Sequence, residues 1–161
     1  MFNINIISIA IIGCGFVADY YLTTLKNYPE LKITGVYDLD LERSQDFAQY
    51  HGVDVYQSLD ELLSDRAVQL VVNLTNPKSH FEISLACLLA DKHVYSEEPL
   101  AMKLEEAEKL VALAEQKGLH LSSAPCSLLG ETAQTIWKAL REETIGKVYV
   151  VYSEMDDGLI H

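Results

Sequence analysis

Residues 6–12 are almost all branched and apolar, Ile-Ile-Ser-Ile-Ala-Ile-Ile. A run without alternation predicts a strand buried on both faces, as parallel strands are. Over residues 16–27 the period changes. Val17, Tyr20, Tyr21, Thr24 and Leu25 are spaced for one face of a helix, and Tyr28-Pro29-Glu30 stops it. Residues 31–37 predict a second strand, 41–50 a second helix ended by His51-Gly52, and 53–56 a short third strand. Ser58-Leu59-Asp60-Glu61 reads as a capping box, with Ser58 the cap and Glu61 reaching back, so a short helix is expected over 59–63. Residues 69–74 are a fourth strand, and Pro77 suits the first position of a helix running to about Ala90. Residues 93–96 are a fifth strand. Residues 104–117 form an amphipathic helix with Leu104, Ala107, Leu110, Val111 and Ala114 on one face, and Gly118 ends it. Residues 119–123 are a sixth strand.

Strands alternating with helices predict an α/β fold, a doubly wound parallel sheet with helices on both faces. Residues 1–123 complete that domain. Residues 128–143 add a further helix, with Ala133, Ile136, Trp137 and Leu140 inward, and residues 147–154 alternate like a new strand. Residues 124–161 therefore read as the start of a second, α+β domain, begun and not completed.

Composition narrows the function classes. The net charge of −12 argues against nucleic acid and anionic membrane as partners, since a phosphate surface needs basic side chains. No apolar run reaches the ~18 residues of a membrane span. The N-terminus has no basic segment ahead of its apolar run, so it reads as a strand and not a leader. Cys14, Cys87 and Cys126 lie far apart, which fits a reducing, cytoplasmic compartment and offers no metal framework. With no partner near it in sequence, Cys126 is expected to be inert.

The candidate chemistry sits where the first strand meets the first helix, at Gly13-Cys14-Gly15-Phe16-Val17-Ala18. Gly13 allows a tight turn, Gly15 lets a pyrophosphate approach the backbone, and Ala18 lets the helix pack on the strand. The helix start at Phe16 and Val17 offers unpaired N–H groups and the positive end of the helix dipole. Asp38 lies 20 residues past Ala18, at the end of the second strand, where a carboxylate accepts ribose hydroxyls; the bland alternative is a helix cap. A carboxylate there favours NAD over NADP, whose 2′-phosphate would add like charge. Thr75, Asn76 and Pro77 end the fourth strand, at the edge where open α/β sheets bind ligands, or simply cap a helix. His80 follows in the first helical turn, where a solvated or core-satisfied histidine is preferred over a ligand contact. Glu97 and Glu98 follow the fifth strand, or form a solvated acidic loop. Trp137 and the tyrosines read as core.

In order along the chain, these features resemble the glucose–fructose oxidoreductase / inositol dehydrogenase family (Gfo/Idh/MocA). Gly13-x-Gly15-x-x-Ala18 with Asp38 resembles its dinucleotide fingerprint. Thr75-Asn76-Pro77-x-x-His80 is similar to its Thr-Pro-Asn-x-x-His stretch with Asn and Pro exchanged. Lys92-His93-Val94-Tyr95-Ser96-Glu97-Glu98-Pro99-Leu100-Ala101 is similar to its Gly-Lys-His-Val-x-x-Glu-Lys-Pro-x-Ala segment, and Ile145-Gly146-Lys147-Val148 resembles the entry to its second domain. The resemblance implies a Rossmann-type NAD-binding domain, Glu97 facing the cofactor ribose or nicotinamide, and a sugar- or cyclitol-like substrate. Any self-association is expected through the second domain. Glu98 stands where the family has a lysine near nicotinamide and substrate, so no catalytic residue is assigned. Residues 125–130 replace an Arg-Phe-containing stretch, and the family's downstream Asp and His lie beyond this sequence. Residues 1–161 are therefore expected to bind NAD without turnover. A non-catalytic NAD(P)-binding regulator, as in the galactose co-repressor branch that the family resembles, is the alternative.

Overall fold

A computed structural model describes residues 6–152 and 154, apart from the side chains of Cys126 and Ser127. The expectations for the Cys126 thiol and for residues 155–161 lie outside the described residues. The element order is β1 (Ile7–Ile12), α1 (Phe16–Leu25), β2 (Leu31–Tyr37), α2 (Leu41–His51), α3 (Leu59–Ser64), β3 (Leu70–Asn73), α4 (His80–Leu89), β4 (His93–Ser96), α5 (Leu104–Lys117), β5 (Leu121–Ser123) and α6 (Glu131–Arg141). All strand pairs are parallel, in the order β2-β1-β3-β4-β5. This is the doubly wound Rossmann-type sheet expected. No described helix is long and apolar enough to cross a membrane.

The alternation of β1 builds two cores. Ala10 and Ile12 face a layer with Val71, Val94, Leu88 and Leu110. Ile9 and Ile11 face the other, with Ala18, Leu22, Val36 and Phe47. All four β1 side chains are at most 2% exposed, so the central strand is dry on both sides. Placing β1 between β2 and β3 reverses the winding direction there, and the reversal opens a crevice at the carboxyl ends of the strands.

Several local expectations are corrected. The third strand is one isolated bridge, Val36 to Val55. Its growth is blocked at both ends: Val53 N–H donates to Ala48 O, and Gln57 N–H donates to the Glu61 carboxylate. Glu61 thus reaches back to Gln57, one residue before the cap, while Ser58 Oγ accepts Glu61 N–H as the capping box requires. On α1 the buried face is Ala18 and Leu22, with Tyr21 and Leu25 beside them, whereas Tyr20 is exposed. Ala18 is 0% exposed and packs in the same core layer as Ile9 and Ile11. On α5, Leu110 and Ala114 are buried but Leu104 and Val111 are not.

Contacts divide the chain into two units between Ala124 and Pro125. In the second, a 3₁₀ turn over Cys126–Leu129 precedes α6. Ile136, Trp137 and Leu140, expected inward, are 42–54% exposed. Residues 147–152 form no strand, because no described residue offers them a ladder partner.

Candidate functional site: the crevice at the carboxyl ends of β1, β2 and β3

A cleft of about 550 Å³ lies in this crevice. Its walls come from three loops. The β1–α1 loop contributes Gly13, Gly15, Phe16 and Val17, the end of β2 contributes Asp38, and the end of β3 contributes Thr75 and Asn76.

The two glycines differ. Gly13 has φ +96°, and a Cβ there would sit 2.6 Å from the carbonyl oxygen of Leu74. It is required by the approach of the loop to the end of β3. At Gly15, φ is −88° and a Cβ would meet nothing within 4 Å. No atom of the described residues demands a glycine there; the open space belongs to the cleft. Gly15 is also the N-cap of α1 and has no side chain to cap it, and the first bond of the helix is Ala18 N–H to Gly15 O, 3.0 Å. The N–H groups ahead of that bond have no intrahelical partner, and they carry the positive end of the helix dipole.

Asp38 is not the cap of α2. Asp40 is, its side chain accepting Arg43 N–H at 3.2 Å. The Asp38 carboxylate instead takes Cys14 N–H on Oδ2 and Asp40 N–H on Oδ1, both at 2.9 Å, with Arg43 Nη1 3.6 Å from Oδ1. It therefore ties the glycine loop to the β2–α2 turn. A carboxylate has about four acceptor sites, so capacity remains for a ligand hydroxyl. Burial, and next the Asp38 carboxylate, push the Cys14 thiol up to about 12, so it stays neutral.

Behind the third loop lies a buried polar network. Asn73 Nδ2 donates to His80 O and Ser84 Oγ, and its Oδ1 accepts the Thr75 hydroxyl at 2.7 Å. His80 is 1% exposed and does not line the cleft. Its Nδ1 lies 2.7 Å from Pro99 O and its Nε2 2.9 Å from Thr75 O. The ring braces the loop after β3 against the turn after β4. His80→Ala removes the ring that bridges the two carbonyls and leaves a cavity beside them. Its expected cost is ~2–4 kcal/mol, read as a lower urea midpoint; an unchanged midpoint would disprove the brace.

Pro77, Glu97 and Glu98 also lie outside the cleft lining. Pro77 starts a 3₁₀ turn, Pro77–Ser79, ahead of α4. Glu97 Oε1 accepts the Tyr21 hydroxyl, and Glu98 is exposed. Lys92, within the segment that carries the family resemblance, is buried and donates to Asp65 O and Val68 O, a structural task. The lining adds Leu39, Asp40, Ser79 and Ile83, which the motifs did not mark. Leu39 carried a signal: an apolar residue in a polar turn, 90% exposed, beside the proposed ribose acceptor. A second depression, about 660 Å³, lies on the α1–α2 side and shares Asp40 and Arg43, but includes neither glycine.

A family profile described as an oxidoreductase family with an NAD-binding Rossmann fold, GFO_IDH_MocA, matches residues 7–124. The chain belongs to this family. It is similar to the trans-1,2-dihydrobenzene-1,2-diol dehydrogenase of Mus musculus, 30% identical over 94% of this chain and 46% of that protein. Among solved structures it is similar to the WlbA dehydrogenase from Chromobacterium violaceum in complex with NADH and UDP-GlcNAcA, at TM-score 0.84 and 25% identity over 90% of this chain and 42% of that one. It is also similar to KijD10, a 3-ketoreductase from Actinomadura kijaniata in complex with NADP and TDP-benzene, at TM-score 0.81 and 28% identity over 89% and 44%. The chain spans less than half the length of these relatives. Family and fold show an NAD(P)-binding Rossmann chain of an oxidoreductase family, and the relatives include complexes with both cofactor forms.

Proposed function

We propose that the crevice binds a dinucleotide, with NAD favoured over NADP. The observation that carries this is Gly15: open space where a Cβ would stand, beside the uncapped start of α1. The residues present fit the cofactor. Gly15, Phe16 and Val17 would hold the pyrophosphate through backbone N–H groups, Asp38 would accept the adenosine ribose hydroxyls with Leu39 beside it, and Thr75 and Asn76 would wall the side toward β3. When bound, the nicotinamide ring supplies or accepts a hydride.

In the intact protein that hydride would pass to or from a ring carbon bearing a secondary hydroxyl or carbonyl. A dihydrodiol and a sugar share this group, and the relatives' names carry both kinds of compound. Residues 125–161 would open the substrate domain, through which any self-association would run. Among the described residues the cleft's only cation is Arg43, at the ribose end. Glu98 is an exposed carboxylate and supplies neither a cation nor, when ionised, a proton. We therefore expect this chain to bind without turnover, and Glu98 favours the regulator as the second reading. The buried free thiols of Cys14 and Cys87 support a cytoplasmic location.

A 2′-phosphate would lie near Asp38 and Asp40, each pair costing ~1–4 kcal/mol according to exposure. The Arg43 guanidinium, 3.6 Å from Asp38 and 3.4 Å from Asp40, offsets part of this. Calorimetric titration should show NAD tighter than NADP by about tenfold or more. Equal or tighter NADP binding would overturn the preference; silence with both would overturn the reading. The intact protein, assayed on polyols and sugar acids, separates enzyme from regulator: binding without turnover favours the regulator.

A further inference from the structure

The carboxyl ends of the strands lie in a row. Asp38 follows β2, the glycine loop β1, Thr75 β3 and Glu97 β4, and these strands are neighbours in that order. At ~4.8 Å per strand, Asp38 and Glu97 are about 14 Å apart along the row. A dinucleotide with one ribose at Asp38 and its pyrophosphate at the start of α1 extends its other ribose toward β3 and β4. Ribose hydroxyls donate, and Glu97 is the carboxylate that ends β4 on the α1 side of the sheet.

That carboxylate is not free to turn. Tyr21, on α1, donates its hydroxyl to Glu97 Oε1 at 2.5 Å, and Glu98 N–H donates to Oε2 at 3.3 Å. The Tyr21 ring packs edge-on to Tyr95, centroids 6.1 Å apart, on the strand that carries Glu97. Burial, then the hydrogen bond to Glu97, push the Tyr21 hydroxyl far above its ordinary range, so it remains a donor and does not serve as an acid. The same helix presents the phosphate-binding N–H groups at its start. One rigid element therefore fixes both the pyrophosphate site and the orientation of the second carboxylate.

We propose that Tyr21 is a positioning residue for the nicotinamide half of the dinucleotide, locking Glu97 so that its remaining lone pairs meet the second ribose. This rests on the nucleotide-binding reading above. The test is Tyr21→Phe in the full 161-residue chain, which keeps the ring and removes the donor. NAD, NADP and AMP are titrated by calorimetry, and circular dichroism follows folding. The dinucleotide that the unsubstituted chain prefers should bind roughly tenfold more weakly. AMP, which lacks the second ribose, should change by less than about twofold. Glu97→Gln should show the same split, and the double variant should be no worse than the weaker single one, because both remove one interaction. An unchanged dinucleotide affinity in Tyr21→Phe overturns the proposal. So does an equal loss for AMP, which marks a merely structural role. If Tyr21→Phe does not fold, Glu97→Gln decides: an unchanged ratio of dinucleotide to AMP affinity overturns it. An unsubstituted chain that binds none of the three ligands overturns the nucleotide reading, and this proposal with it.

Discussion

Gly15→Val should abolish dinucleotide binding while the domain stays folded. The position has an ordinary φ of −88°, and no atom of the described residues lies within 4 Å of where its Cβ would stand. A valine is therefore accommodated sterically by the chain itself, at the modest cost of a β-branched residue at a helix cap. The two methyl groups would occupy the volume through which a pyrophosphate reaches the first N–H groups of α1. We expect affinity to fall by more than about a hundredfold, with the far-ultraviolet dichroism and melting temperature close to those of the parent chain. A folded variant that binds normally would mean that the open space at Gly15 is not where the phosphates go.

Gly13→Ala should do the reverse and strike stability. Its φ of +96° is strained for any side chain, and the new Cβ would lie 2.6–2.8 Å from Leu74 O, Leu74 C and Thr75 N. These are backbone atoms of the loop that follows β3 and cannot swing aside. Backbone strain and overpacking each cost ~1–3 kcal/mol, so a loss of roughly 2–6 kcal/mol is expected. Urea unfolding should show a lower midpoint with the slope unchanged. An unaltered midpoint would show that the β3–α4 loop yields, and with it the geometry of Thr75 and Asn76. On the proposed reading, two glycines in one motif are thus required for different reasons, one by the protein and one by its ligand.

The motif was legible because each part obeys a local rule. A glycine pair between a buried strand and a helix has few other uses, and Asp38 lies at the distance that one strand–helix–strand unit imposes. What each residue does inside that frame was less legible. Both Asp38 and Asp40 can cap a helix by sequence, and the cap falls to Asp40 because Asp38 is held by Cys14 N–H across the turn. His80 reads by sequence as solvated or core-satisfied ahead of a ligand contact, without saying which groups would satisfy it. Two backbone carbonyls, Thr75 and Pro99, give its ring to the interior. Glu98 was recognisable only as a departure from the family pattern, and the structure leaves it exposed, outside the cleft lining.

Period and composition determined, without tertiary information, that β1 is buried on both faces, that strands alternate with helices, and that the sheet is parallel. These follow from hydrophobic spacing along a single element, which is a local property. The tertiary structure alone decided matters that depend on who spends a hydrogen-bond donor first. The third strand shrank to one bridge because Ala48 O and the Glu61 carboxylate claim its flanking N–H groups. The rotation of α1 buries Ala18 and Leu22, exposes Tyr20 and brings the Tyr21 hydroxyl to Glu97. That last contact joins residues 76 apart in the chain. No periodicity within either element reports it, since it exists only once β1, β3 and β4 lie side by side.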